Sequence, residues 1–225
     1  MTSPPPATGD VRRTLPRGRH SLGRTAVVVS QRARLIEAIV EAVAEKGYAA
    51  TTVADVIGRA GVSRTTFYDL FADKEDCFLT AYEAGARAHI DAVRTAADAA
   101  EGWLEKLRAG GLRYLEVLAE EPAWARAFIV EVLSAGQRAL RHRAAVHARS
   151  VALLREGHER ARAALGDLPP LRDEVFEAVV GAVNELVFLR ISRGETASLP
   201  ELAPVCLHIS LSLYGLDEGS FSAAG

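Results

Sequence analysis

Residues that end or start helices alternate over positions 47–73, and this pattern constrains the fold more than any other feature of the chain. Thr52, followed three residues later by Asp55, matches a capping box at the start of a short helix. Gly61, in the segment AGVS, can take the left-handed backbone conformation that a tight turn requires. Ser63 then supplies a cap for a second short helix. Two short helices joined by a glycine turn form a helix-turn-helix, and the sequence predicts this motif here.

Apolar residues recur at helical spacing on both sides of the motif. Ser30 is predicted to cap the first helix, which ends at Gly47. Asp73, with Asp76 three residues later, starts a fourth helix. We find no turn-bounded run of β-branched residues with alternating polarity that is long enough for a sheet, so the predicted fold class is all-α. Further helices are predicted over about residues 103–119, 123–133, 137–165, 172–193 and 200–214.

Charge is distributed unevenly along the 225 residues, whose net charge is −2. Before Ser30 the chain has five arginines and one aspartate, a net charge of +4 that leaves −6 for the remainder. A basic tail on an acidic body favours a local contact with a polyanion such as DNA, where an arm bearing these arginines could reach the minor groove. A disordered, solvated tail is the alternative.

The cysteines and the apolar segments indicate the cell compartment and limit the kinds of chemistry that we expect of the chain. Cys77 and Cys206 lie far apart and have no partners at metal-ligand spacing, so we expect reduced thiols, no metal and no cofactor. The first residues lack the apolar region of a signal peptide, and the apolar stretch 199–216 is broken by Pro204. These features predict a cytoplasmic protein without a membrane partner. Since no phosphate loop or nucleophile motif is present, we do not expect an enzyme, although an all-helical enzyme is an alternative of a different class.

The second helix of the motif can place its N-terminal residues against base edges in the major groove of DNA. Phe67 and Phe71 would anchor this helix from behind. Arg64 can donate a bidentate pair to guanine, whereas threonine and tyrosine hydroxyls suit phosphate oxygens. Lys74, at the start of the next helix, adds a positive charge beside free backbone amides. The predicted DNA-binding residues are Thr52, Arg64, Thr65, Thr66, Tyr68 and Lys74.

The segment EKGYAATTVADVIGRAGVSRTTFYDLFADKEDCF, residues 45–78, resembles the DNA-binding domain of the TetR family of bacterial transcriptional repressors. It carries the Gly-Tyr pair after the first helix, the double threonine, AGVS, the Phe-Tyr pair followed by Phe71, and DKED. The resemblance covers about residues 30–80. It implies a dimer that binds a palindromic operator, with Thr52 and Lys74 on phosphate, Arg64 and Thr65 on bases, and Thr66 and Tyr68 on the backbone. The chain departs from the family pattern at Thr65 and Leu70, and Asp69 brings an anion near DNA.

The resemblance also implies a domain organisation. Residues 1–29 would form a disordered basic arm, residues 30–77 the three-helix DNA-binding domain, and residues 78–225 a larger helical domain that binds a small effector and dimerises. The effector is expected to be apolar or aromatic, because the candidate lining residues are Trp103, Tyr114, Trp124, Phe128 and His147. The last two helices have apolar faces too wide for one neighbour, so dimerisation is expected through Val179, Val183, Leu186, Val187, Leu202 and Ile209.

Each assignment has an alternative. Arg64 could meet phosphate or solvent, the Tyr68 ring could pack into the core, and Lys74 could pair with a neighbouring carboxylate of Glu75 or Asp76. The aromatic residues and His147 could simply fill the core, and the apolar helices could form a monomeric core. The whole chain could be an architectural DNA-binding protein that responds to no effector.

Overall fold

The architecture comes from a computed structural model, which describes residues 20–166 and 168–216. These residues form helices, turns and loops, with no strand among them. The helices are α1 (His20–Lys46), α2 (Val53–Ala60), α3 (Arg64–Leu70), α4 (Lys74–Ala99), α5 (Trp103–Glu120), α6 (Pro122–Ala125), α7 (Gln137–Leu165), α8 (Asp173–Ser192) and α9 (Ala203–Leu213). A π-helical turn (Arg126–Val130) and a 3-10 turn (Glu131–Ser134) follow α6, and 3-10 turns (Thr196–Leu202) precede α9.

The predicted helix caps of the N-terminal motif are confirmed. The Thr52 side chain accepts from the Asp55 backbone N–H while the Asp55 carboxylate accepts from the Thr52 N–H, the two bonds of a capping box. Gly61 ends α2 with a φ of 63°, in the left-handed region. The Ser63 hydroxyl accepts from the Thr66 N–H at 3.0 Å at the start of α3. Because each cap depends on a few neighbouring residues, local sequence was enough to find it.

Two predicted helix starts are wrong. Helix α1 begins at His20 and not at Ser30, because residues 20–29 contain no proline and their three valines disfavour helix by less than about 1 kcal/mol each. Residues 20–29 of the predicted arm therefore lie in α1, and residues 1–19 lie outside the described residues. Near the end of the chain, 3-10 turns that contain Pro200 come first, and α9 begins at Ala203.

The N-terminal helices share one hydrophobic core with part of the larger domain. Phe67 of α3, Phe71 directly after α3 and Phe78 of α4 are buried in it, as are Phe128 and Val132 of the turns after α6. These turns therefore pack directly against the N-terminal helices. Two further clusters, built mainly from α5, α8 and α9, include Leu115, Val187, Ile191, Leu199, Phe176 and Tyr214.

Helix α4 runs through the predicted boundary at residue 77. Its first turn contacts the α1–α2 loop, and its middle turns pack against α5 and α7. One continuous helix thus belongs to both parts of the molecule.

A membrane-spanning helix would have to be both long and apolar, and the described residues contain none that is.

Candidate nucleic-acid interface and cavity

Helix α3 has a buried side and an exposed side that carries the predicted base-reading residues. Phe67 is fully buried, whereas Arg64 and Thr65 are exposed and Tyr68 is 49% exposed. The Tyr68 ring stands edge-on to Phe67 at 5.3 Å, and the Arg64 guanidinium lies 5.9 Å from the Tyr68 ring centroid. A core position for Tyr68 is therefore excluded, and α3 presents a cation and a phenol on one outward surface.

The two threonines predicted to contact phosphate have hydroxyls that already take part in caps. The Thr52 hydroxyl donates to the Asp55 carboxylate at 2.7 Å and accepts from the Asp55 N–H at 3.2 Å. The Thr66 hydroxyl lies 2.9 Å from the Ser63 hydroxyl. To donate to a phosphate, the Thr52 O–H must turn away from Asp55, so its energetic contribution to binding is reduced by the bond it loses.

Lys74 is held by backbone carbonyls, which the sequence did not reveal. Its ammonium donates to Tyr48 O and Thr51 O, both at 2.8 Å, and lies 4.1 Å from the Tyr48 ring centroid. Partial burial lowers the pKa of Lys74. Among described residues no carboxylate is within ion-pair distance of it, so the expected alternative pairing with Glu75 or Asp76 is wrong. Lys74 fastens α4 to the α1–α2 loop and keeps one N–H for another acceptor.

The same loop is held from the larger domain. The Tyr48 N–H donates to the Glu131 carboxylate at 3.0 Å, and the Tyr48 ring lies 5.0 Å from that of Phe78. Phe78 is in turn 5.7 Å from Phe128 in the π-helical turn. Gly47, with a φ of 81°, leaves room for this contact, since a Cβ there would lie 3.1 Å from the Glu131 carboxylate.

A cavity of about 660 Å³ lies between α4, α5, α7, α8 and α9. Of the predicted effector residues, Trp103, Tyr114, Phe128 and His147 lie on its wall. Trp124 does not line it. Its indole packs on Gly85 of α4 and on Phe128, whose ring centroid is 4.8 Å away, because the absent side chain of Gly85 leaves a space that the indole fills.

The cavity extends along α7. Wall residues of this helix recur every three or four positions, from Arg143 and His147 through Leu154 and His158 to Leu165. At a rise of 1.5 Å per residue, the 22 steps from Arg143 to Leu165 cover roughly 33 Å. The shape therefore suits an elongated molecule.

One group of polar wall residues lies around the first half of α7. Arg143 and His147 are one turn apart, and Tyr82 and Tyr114 line the same cavity within electrostatic range of Arg143. Burial raises the pKa of Tyr82 to about 12 and also raises the pKa of Tyr114. Burial, and then the charge of Arg143, lowers the pKa of His147. At neutral pH all three are uncharged and Arg143 supplies the positive charge.

Sequence reasoning offers Arg113 and Arg126 for an acidic ligand group but expects both at the surface. Arg113, one candidate, is bound by Glu120 at 2.7 Å, and Arg126, the other, lies 3.6 Å from Glu131. The residue it missed is Arg143. The signal was its position four residues before His147, which puts both on one helix face.

The other end of the cavity is aromatic. Trp103, Phe176 and Tyr214 surround His158, whose Nε2 lies 2.9 Å from Pro169 O. Because a carbonyl only accepts, Nε2 carries the proton and Nδ1 is an acceptor. Nδ1 of His158 and the Tyr214 hydroxyl are buried and have no hydrogen-bond partner among the described atoms.

Half of the predicted dimer residues belong to the core of the protomer. Val179, Val187 and Leu202 are buried there, because α5 and the 3-10 turns before α9 cover that side of α8. Val183, Leu186 and Ile209 are partly buried. The exposed apolar side chains of α8 and α9 are Leu189, Val205 and Leu213.

A helix-turn-helix joined by a continuous helix to a larger helical bundle with a cavity is the arrangement expected of a helical DNA-binding regulator. Residues 35–81 match the model of the family described as bacterial regulatory proteins, tetR family. Residues 35–81, which include the helix-turn-helix, are therefore similar to the DNA-binding domain of the TetR family, in agreement with the sequence resemblance.

Solved structures share the fold over most of their length. The fatty acid degradation regulator FadR from Bacillus halodurans matches with a TM-score of 0.74 and 21% identity, over 82% of this chain and 95% of that one. FadR from Bacillus subtilis, in complex with stearoyl-CoA, matches with a TM-score of 0.72 and 19% identity, over 80% of this chain and 97% of that one. TylP, a TetR regulator from Streptomyces fradiae, matches with a TM-score of 0.63 and 23% identity, over 84% of this chain and 92% of that one. No curated protein matches the sequence significantly.

Proposed function

We propose that the protein is a repressor that binds a palindromic operator as a dimer and leaves it when an elongated, mainly apolar effector fills the cavity. The observation that carries this proposal is the continuity of α4. The helix grips the α1–α2 loop through Lys74 and, further along, lines the cavity with Tyr82 and His89. A ligand that moves α4 would move the DNA-binding domain with it.

On DNA, the exposed side of α3 would enter the major groove. Arg64 would donate to a base, while Thr65 and Tyr68 would meet neighbouring base edges or phosphates. Lys74 would position the loop before α2 and offer its remaining N–H to phosphate. Two recognition helices must stand about one helical turn of DNA apart, so small movements of α4 would suffice to end binding.

Dimerisation would use the faces of α8 and α9 that the protomer leaves uncovered. Leu189, Val205 and Leu213 are exposed there, and partly buried Ile209 lies between the last two. A twofold axis through this surface would bury the same residues of both copies. The expected interface is therefore centred on these side chains and not on Val179, Val187 and Leu202.

The effector class follows from the cavity and from one neighbour. A volume of about 660 Å³ is ordinary for a small-molecule site, and its long apolar wall suits an acyl chain. The similar FadR from Bacillus subtilis was solved with stearoyl-CoA, which supports a fatty acyl compound here.

DNA binding is tested in two steps. Genomic fragments that the protein binds are selected first, and the affinity of a single-substitution variant for such a fragment is then measured. Arg64→Ala should weaken operator binding by about 1–3 kcal/mol and relax specificity at one base pair per half-site. Arg162→Ala removes the same charge from an exposed position on α7 and serves as the matched control. Equal losses in the two variants would refute base reading by Arg64.

Addition of long-chain acyl compounds to the operator complex tests the effector side. Release of DNA, together with a change in tryptophan emission, is the expected result. If such compounds change the emission and DNA stays bound, the cavity binds them without the proposed coupling to DNA.

A further inference from the structure

Arg143 is a cation without a protein partner in the wall of the cavity. It is partly buried, and its guanidinium makes no hydrogen bond or ion pair with any described residue. The other basic side chains on the wall, Arg94, Lys106, Arg108 and Arg160, are exposed. A partly desolvated guanidinium without a counter-charge is costly, so its presence among apolar side chains calls for a partner.

Three neutral hydrogen-bonding side chains share the cavity wall with this cation and lie within its electrostatic range. Tyr82 and Tyr114 are close enough for Arg143 to influence their ionisation, and neither hydroxyl bonds to a described residue. His147 lies one turn along the same face of α7 and makes no described hydrogen bond. A guanidinium, two phenolic O–H groups and an imidazole are the donors that a carboxylate needs for both of its oxygens.

The two carboxylates of the cavity wall, Asp98 and Glu185, are exposed, and neither forms an ion pair with Arg143. Glu83, whose charge acts on Tyr82, is already bound by His142 and Arg149 and does not line the wall. Beyond His147 the wall on α7 carries the apolar Leu153, Leu154 and Ala161 as well as Ser150, His158 and the exposed Arg160. The partly buried cation is therefore followed along α7 by apolar side chains against which an acyl chain could lie.

We propose that Arg143, with Tyr82, Tyr114 and His147, is the binding site for a carboxylate head group, so that the effector is a free long-chain carboxylic acid whose tail lies along α7. This inference rests on the proposed ligand-controlled function and makes the ligand more specific. An acyl thioester bearing phosphate groups is the competing source of negative charge, and it would leave a neutral carbonyl at the end of the chain.

The test measures dissociation constants of stearic acid, its methyl ester and stearoyl-CoA by isothermal titration calorimetry with tryptophan emission as a second readout. Wild-type protein should bind the acid more tightly than the ester. Arg143→Gln should weaken acid binding by roughly 10- to 100-fold, the equivalent of one lost charge-assisted hydrogen bond, and leave ester binding unchanged. Arg143→Lys keeps the positive charge but lacks the two parallel N–H donors of a guanidinium, so it should bind the acid more tightly than Arg143→Gln and less tightly than the wild type.

Arg160→Gln is the matched control, since Arg160 lies on the same helix and at the same cavity but is exposed. Circular dichroism and thermal unfolding of each variant establish that it is folded. Unchanged acid affinity in folded Arg143→Gln would overturn the proposal, as would equal binding of acid and ester by the wild type. A loss confined to stearoyl-CoA would assign the cation to phosphate and also overturn it. Failure of the proposed function is a separate result, in which acyl compounds bind and DNA is not released.

Discussion

The contact between Trp124 and Gly85 allows the effect of a substitution on stability to be worked out from interatomic distances. A Cβ at position 85 would lie 2.4 Å and 2.6 Å from two indole carbons of Trp124 and 3.2 Å from Phe128. Carbon atoms in contact are about 3.5–4.0 Å apart, so the indole would have to retreat by about 1 Å. Such overpacking costs about 1–3 kcal/mol, whereas alanine in place of glycine within a helix gains about 1 kcal/mol. Gly85→Ala should therefore lose up to about 2 kcal/mol.

Gly58 provides the matched control, because it lies in α2 and a Cβ there would meet nothing within 4 Å. Gly58→Ala should keep the helix gain, and the two variants should differ by the overpacking cost of about 1–3 kcal/mol. Thermal unfolding followed by circular dichroism measures this, since 1 kcal/mol moves Tm by about 2–4 °C in a chain of this size. In a Trp124→Ala background the sign should reverse and Gly85→Ala should stabilise. If Gly85→Ala stabilises the wild type as much as Gly58→Ala does, the indole does not occupy this position.

Three further predictions concern pH, a buried hydroxyl and assembly. Hydrogen bonds from Lys46, and then from Thr52, hold the pKa of the Asp55 carboxyl far below its usual range. The ionised carboxylate therefore stabilises the fold above about pH 4, and this stabilisation is lost as the pH falls through the folded-state pKa. The difference in Tm between wild type and Asp55→Asn should accordingly shrink between pH 5 and pH 2, and a constant difference would contradict this. Tyr214→Phe should raise the free energy of unfolding in urea by about 1 kcal/mol, because it removes a buried hydroxyl without a described partner, and a loss would reveal a partner. In sedimentation, Val205→Glu should convert the dimer into a folded monomer. Leu165→Glu, which also replaces an exposed apolar side chain, should leave the dimer intact, and equal dimerisation of both variants would place the interface elsewhere.

Features set by a few adjacent residues were predictable from the sequence. The capping box of Thr52 and the turn at Gly61 are examples, because a hydroxyl three residues before a carboxylate and a glycine before a cap each favour one local geometry. The start of α1 was not predictable in the same way. Ser30 can cap a helix or lie inside one, and the local sequence does not decide between these two positions.

Features set by contacts between distant segments were mostly not predictable. Helical spacing identified the apolar side chains of α8, but it does not tell whether the partner is the same chain or a second copy. In the structure Val187 packs in a cluster with Leu115 of α5 and Leu199, so it is unavailable to a second copy. Trp103, Tyr114 and His147 line the cavity because they belong to helices that surround it, and effector binding by these residues stays a prediction. Arg143 was missed because an arginine on an amphipathic helix is usually solvated.

The α1–α2 loop is where the two halves of the molecule meet, and its geometry limits how the cavity could act on DNA. Tyr48 is held at its carbonyl by Lys74 of α4, at its N–H by Glu131 and at its ring by Phe78. Since Phe128 lines the cavity and packs on Phe78, a ligand that displaces Phe128 pushes on the loop through both the aromatic contact and the turn that carries Glu131. π-helical turns are uncommon and often mark functional sites, and this one joins the cavity wall to the loop. Movement of α4 alone would strain the Lys74 contacts, whereas joint movement of α4 and the turn carries the loop along intact, so the proposed switch requires both elements to move together.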